Sequence, residues 1–360
     1  MEKEILLASI DSLLSKVDLD NQENDYLLQE RKPESYLLID EMKNQAQYTI
    51  GKEKGRADEF LDNVIKIDND KYIIQLSYVD TNRIPSLRVS SFTLIGYLKE
   101  NKVLFASPLE NNTAYWNRDT INNNILNYKD TLNNANLSKF KSYSFYYDSL
   151  LNTDNYQVKY YLFDTSYDML KTIGIDYKLV YNGSSGGTLS VEDYKNKVIA
   201  TTGMESDFSK LDPHDLFHDR LSLIVSRREV NRAVDEGCAY LLGGSWGYSW
   251  EEIFTYFYDE LINDSTPDFI SWKEKPVYFK SGDFSNAADY ISNALIIDKI
   301  MREKDFKYVC DFLNIGPTKG NFDAYYLKLE ELTGITKSNY NETLLNLAQI
   351  QMKSINEKGK

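Results

Sequence analysis

The chain contains two histidines, His214 and His218, four residues apart in the stretch 211–244, LDPHDLFHDRLSLIVSRREVNRAVDEGCAYLLGG. In a helix, residues at i and i+4 lie one above the other on the same face. Two imidazoles so placed can bind one metal ion, and Zn²⁺ is the usual guest. Asp212 in the capping position and Pro213 in the first turn fit a helix that opens just before the pair. The same pair also reads as two surface groups one turn apart, because HxxxH spacing alone matches many unrelated helices. A second helical stretch follows and carries Glu236 within DEGCAYLL.

H-D-L-F-H followed by D-E-G-C-A-Y resembles the gluzincin metallopeptidases, the thermolysin and aminopeptidase class. Their pattern is H-E-x-x-H on one helix and a glutamate on the next, commonly in an E-G-x-A-x-Y type setting. The resemblance implies that His214, His218 and Glu236 hold one zinc ion per chain. Gly237, Ala239 and Tyr240 match the small and aromatic positions around the glutamate. It extends to the helices from Tyr290 to Leu313 and on to Leu332-Thr333-Gly334-Ile335, which look like the helical tail of peptidase-MA-like domains. The activity implied is hydrolysis of peptide bonds in a peptide or protein substrate. The setting implied by family habit is exported, at the cell envelope; the alternative, with no signal visible in the sequence, is cytoplasmic.

One position departs from the pattern. The family's catalytic base is glutamate, and this chain has Asp215. In the family, zinc polarises the scissile carbonyl and lowers the pKa of its bound water, and the glutamate takes the proton. Aspartate is shorter by one methylene, about 1.5 Å of reach, and a misplacement of about that size costs on the order of 10²-fold in rate. Asp215 is therefore the candidate base, acting directly or through a second water. The alternative is a catalytically inactive, peptidase-like binding protein that uses the cleft or the amino-terminal domain for a protein or small ligand. Tyr290 takes a place similar to the tyrosine that steadies the oxyanion in the related aminopeptidases; in a chain with 28 tyrosines, a packing role is the other reading. Asp235 reads either as a group that orients a ligating histidine through its second ring nitrogen or as a solvated neighbour. Arg227 and Arg228 read as salt-bridged surface groups.

These residues need elements to position them. Residues 1 to about 55 read as helical, interrupted near 18–24 and at Pro33. Apolar alternation then marks strands at 63–67, 71–79, 87–97 and 102–106, with turns at 68–70 and 99–101. Helices followed by antiparallel strands suggest a small α+β domain over 1–118, similar to a cystatin-like or nuclear-transport-factor-like cone. The polar run 110–124 is read as the boundary region. A strand at 125–128, a helix at 139–151, a strand at 157–163, a helix at 166–173 stopped by Gly174, a strand at 175–181 and strands near 188–191 and 197–202 follow. The glycine-rich loop 183–187 precedes a strand-like run, which argues against a phosphate cradle. The order fits a zincin-like domain over 119–360: a small twisted sheet, then a helical lower half. The sheet edge that would pair with an extended substrate is sought within 187–202. The aromatic stripe 250–262 reads as core, 265–285 as a loop walling the cleft, and 287–302, 306–313, 322–332 and 341–354 as helices.

Composition excludes some partners. A net charge of −14 opposes binding to nucleic-acid phosphates and to anionic membrane surfaces. No stretch is long and apolar enough for a transmembrane segment. The opening residues read as an amphipathic helix rather than a signal peptide, with Ile5, Leu6, Ile10, Leu13 and Leu14 on one face. The two cysteines, Cys238 and Cys310, make no disulfide framework and read as free thiols.

Overall fold

The computed structural model describes residues 2–50, 52–182, 187–193, 196–202, 208, 211–263, 267–281, 284–318 and 320–358. It is a mixed α+β protein. By compactness the chain divides into one unit of residues 1–137 with 155–210 and a second of 138–154 with 211–360. The expected boundary at 118 falls inside a strand, Asn117–Ile121, and the strands out to Thr201 belong to the first unit.

In the first unit, strands Asp58–Asp68, Lys71–Asp80 and Leu87–Lys99 run antiparallel, and Leu87–Lys99 also pairs with Lys102–Ala106. Two-residue turns join the first pair and the last, as the polar dipeptides Asn69-Asp70 and Glu100-Asn101 allow. Strand Ile175–Lys178 adds to the far side of Leu87–Lys99 rather than to its sequence neighbours; residues 179–181, expected to extend it, form a 3₁₀ turn. A second sheet has the order 188–193, 196–201, 157–162, 124–128, 117–121, parallel only at its centre. Thr188–Asp193 is one of its two outer strands. Most of the glycine-rich loop, residues 183–186, lies outside the described residues.

One apolar cluster runs through this unit, from Leu6, Leu37 and Ile74 to Tyr161, Val198 and Ala200. Helix Lys32–Met42 is its centre, with Tyr36, Leu37, Leu38, Ile39 and Met42 all buried. Its one buried carboxylate, Glu34, is paired with Lys159 at 2.5 Å and accepts from the Tyr161 hydroxyl at 3.3 Å. A shared core explains why strands 157–201 do not separate from the amino-terminal elements. Two expectations are corrected here. The end of the opening helical region is a hairpin, Gln47–Ile50 with Glu53–Arg56. The polar run 110–124 contains an edge strand, Asn117–Ile121, whose polar side chains face solvent.

The second unit is mainly helical. Asn134–Leu151 supplies residues 138–151, and Pro213–Leu221, Arg232–Gly243, Trp250–Leu261 and Ala288–Glu303 follow, then Phe306–Leu313, Asp323–Thr333 and Tyr340–Lys358. The aromatic stripe is core: Trp250, Ile253, Phe254, Phe257 and Leu261 are buried. The segment expected as a loop instead holds a short helix, Phe269–Glu274, capped by Asp268, and a hairpin, Tyr278–Ser281 with Phe284–Ala287. Cys238 is buried, Cys310 is half-buried, and both are free. Arg227 and Arg228 are exposed and make no ion pair among the described residues. Among the described residues, no helix is long and apolar enough to cross a membrane.

Candidate metal centre

The two site helices are set by their ends. Asp212 caps Pro213–Leu221, its carboxylate accepting the His214 N–H at 2.9 Å. Asn231 caps Arg232–Gly243, and Gly244 ends it with φ +75, a conformation that glycine takes without a Cβ penalty. Two glycines let the second helix come close to its neighbours. A Cβ on Gly243 would lie 2.5 Å from the His214 nitrogen, and one on Gly237 would lie 2.8 Å from the Asn293 Cβ on helix Ala288–Glu303.

This brings His214, His218 and Glu236 together, all buried, with ligand atoms within 4.8 Å of one another. The Nε2 atoms of the histidines are 3.1 Å apart. Glu236 lies 3.3 Å from His214 Nε2 and 3.7 Å from His218 Nε2. In a tetrahedral zinc site with bonds of about 2.1 Å, donor atoms stand about 3.4 Å apart, so the spacing fits a small cation.

The outer nitrogens explain why the inner ones converge. His214 Nδ1 is 2.8 Å from the Gly244 carbonyl, which can only accept, so Nδ1 carries the hydrogen. His218 Nδ1 is 2.7 Å from an Asp235 carboxylate oxygen, which assigns the same tautomer. In the neutral rings both Nε2 lone pairs then face one point together with a carboxylate. That donor set is unfavourable without a cation or a shared proton at its centre. Burial works to lower the His214 pKa, but its hydrogen bond and charge contact with Glu236 raise it overall. Burial works to raise the Glu236 carboxyl, and His214, His218 and Arg232 more than offset this, holding it below the usual range.

Asp235 is the orienting group, not a solvated neighbour: it is buried and bonded to His218. Replacing it with asparagine is expected to weaken metal binding about 10- to 100-fold, the usual cost of losing such a partner. A competition titration against a chromogenic chelator measures this.

Asp215 follows His214 in the first turn and is exposed, with its carboxylate in no hydrogen bond or ion pair among the described residues. Crowding by the surrounding protein raises its pKa, and Asp212 adds to that against the two histidines. Tyr290 sits on the Ala288–Glu303 helix with its ring 6.1 Å from that of Tyr240, which in turn meets the His214 ring edge-on at 5.2 Å. Burial and the Glu236 charge push the Tyr290 phenol up, while the Arg232 charge opposes them. Of the residues singled out from the sequence, His214, His218 and Glu236 form the ligand cluster and Asp235 bonds to one of them.

Three participants were missed. Arg232 pairs with Glu236 one turn on and reaches Asp235 at 3.4 Å; its i,i+4 spacing from Glu236 was a readable signal. The Gly244 carbonyl had none, since every residue carries one. Asn286 accepts from the Tyr240 hydroxyl at 2.9 Å across 46 positions of sequence. No protein-family model, curated protein or solved structure matches the chain, so the residues of the site carry the functional reading.

Proposed function

We propose that the chain is a zinc-dependent, gluzincin-like metallopeptidase in which His214, His218 and Glu236 hold the metal. The observation that supports it most is the pair of Nδ1 anchors, which leaves both Nε2 lone pairs aimed at one point beside a carboxylate. When bound, zinc supplies a Lewis acid for a carbonyl oxygen and lowers the pKa of a water molecule. Around it, Asp235 and the Gly244 carbonyl hold the imidazoles in place, and Arg232 holds Glu236. In this reading Asp215 takes a proton from water, and Tyr290 donates to a carbonyl oxygen. The zincin-like fold, the cystatin-like or nuclear-transport-factor-like character of the amino-terminal sheet and an exported setting belong to the same proposal.

The test is cleavage of an unfolded polypeptide by tag-free protein. Cleavage that stops with a chelator and returns with zinc is the expected result; cleavage indifferent to chelator, or none by a zinc-loaded chain, would overturn the peptidase reading. The exposed, shorter Asp215 favours a second reading, a protein that binds metal at this site without hydrolysing a substrate.

A further inference from the structure

The turn that follows the Glu236 helix carries a side chain its backbone does not favour. Ser245 and Tyr248 exchange two backbone hydrogen bonds of 3.0 Å, closing a two-residue turn over Trp246 and Gly247. Both central residues have positive φ, +55 at Trp246 and +83 at Gly247. This is the pattern of a type I′ turn, which prefers Asn-Gly; a bulky residue in the first position is rare. The strained residue is also exposed, at 60%. Its indole stacks on Phe284, with centroids 5.1 Å apart and planes at 4°. Phe284 meets Tyr248 edge-on at 6.2 Å, and Tyr248 meets Tyr256 at 6.0 Å.

The shelf is tied to the metal centre from both sides. Gly244, two residues before Trp246, is the acceptor that fixes His214. Asn286, two residues after Phe284 on the same strand, accepts from Tyr240, the ring against His214. Beyond the turn, Ser249 and Glu252 form a reciprocal cap, with the Ser249 N–H donating to Glu252 at 2.7 Å. The indole is therefore held in place, at a local conformational cost, with one face turned to the Phe284 ring.

We propose that the Trp246–Phe284 shelf receives an aromatic side chain of the peptide whose backbone lies at the metal centre. This rests on the metallopeptidase reading and names the substrate class that it leaves open. The shelf is apolar, planar and braced by aromatic rings, so a flat aromatic group gains both buried area and ring stacking there. The turn begins at the residue whose carbonyl holds His214, and an extended peptide advances about 3.3 Å per residue, so the proposal sets the aromatic side chain within a few residues of the carbonyl at the metal centre.

The test labels the full chain with 5-fluorotryptophan, whose four ¹⁹F resonances report the four tryptophans; Trp246→Asn assigns the one of interest. Blocked alanine hexapeptides with a central Phe, Arg or Ala are titrated with and without zinc. The expected result is a saturable shift of the Trp246 line by the Phe peptide, at least fivefold tighter than with the Ala or Arg peptide. Trp246→Asn should lose that preference while gaining thermal stability, because asparagine suits the turn, and its zinc content should equal that of the wild type. A merely structural Trp246 would lose stability in Trp246→Asn instead. Equal response to all three peptides, preference for Arg, or a Trp246 line that moves with protein concentration alone would each overturn the proposal. Failure of the metal reading shows separately, as absent zinc in the wild type.

Discussion

Glu236→Ala is expected to strip the chain of stoichiometric metal and leave it folded. Four-ligand zinc sites in small domains bind with about 10–16 kcal/mol, so one ligand contributes on the order of 3 kcal/mol, more than a hundredfold in affinity. The carboxylate also supplies the only negative charge in the ligand cluster, which is otherwise two imidazoles. Folding should tolerate the change. Alanine is the best helix former, and Arg232, the partner left behind, is half-exposed and keeps Asp235 at 3.4 Å. Elemental analysis of tag-free protein should find about one zinc per wild-type chain and none in the variant, with unchanged circular dichroism. Zinc in neither protein would sink the metal reading. Ligands must shed their protons to bind, and His214 holds its proton above the usual imidazole midpoint. At a fixed zinc concentration near the dissociation constant, occupancy should therefore fall as pH drops through that raised midpoint and level off above it.

The parts of this site legible in the sequence were the local ones. His214 and His218 share a helical face because four residues make one turn, and Asp212 announces its cap by type and place. Glu236 needed the resemblance, because nothing local says that its helix meets the first. Gly237 and Gly243 are where that meeting is decided, and their meaning emerges only when a missing Cβ is seen against Asn293 and His214. Strand Asn117–Ile121 was hidden for another reason. It is an edge strand whose residues, NRDTI, are nearly all exposed, so no apolar alternation exists to be read. Ile175–Lys178 reads as a strand, but its partner, Leu87–Lys99, lies about eighty positions away, as the Ile175–Phe92 pairing shows; pairing at that range leaves no mark in one sequence. In the 265–285 region the prolines suggest a loop and hide two elements. Asp268 before an apolar-periodic run was a helix start in plain view, and the short alternation after Pro276 was a strand.

Asp215→Glu is expected to raise the hydrolytic rate by about 10²-fold with zinc content unchanged. The added methylene extends the carboxylate by about 1.5 Å, and general-base catalysis is lost steeply when the base stands short of its water. The substitution costs the fold little. Position 215 is exposed, its carboxylate makes no hydrogen bond or ion pair among the described residues, and glutamate is a better helix former than aspartate at a first turn that favours acids. A merely electrostatic role for Asp215 would be kept by glutamate and give no gain. Asp215→Asn separates the two, since it keeps the size and removes the proton acceptor: activity should fall below the wild type if Asp215 already works as a weak base. The gain should appear in kcat, with KM nearly constant, because the base acts in the transition state and not in substrate binding. A zinc-loaded Asp215→Glu that still cleaves nothing would mean that reach was never the limit. The convergent Nε2 atoms would then serve a metal held for binding, and Asp215 would mark a site that has no proton to move.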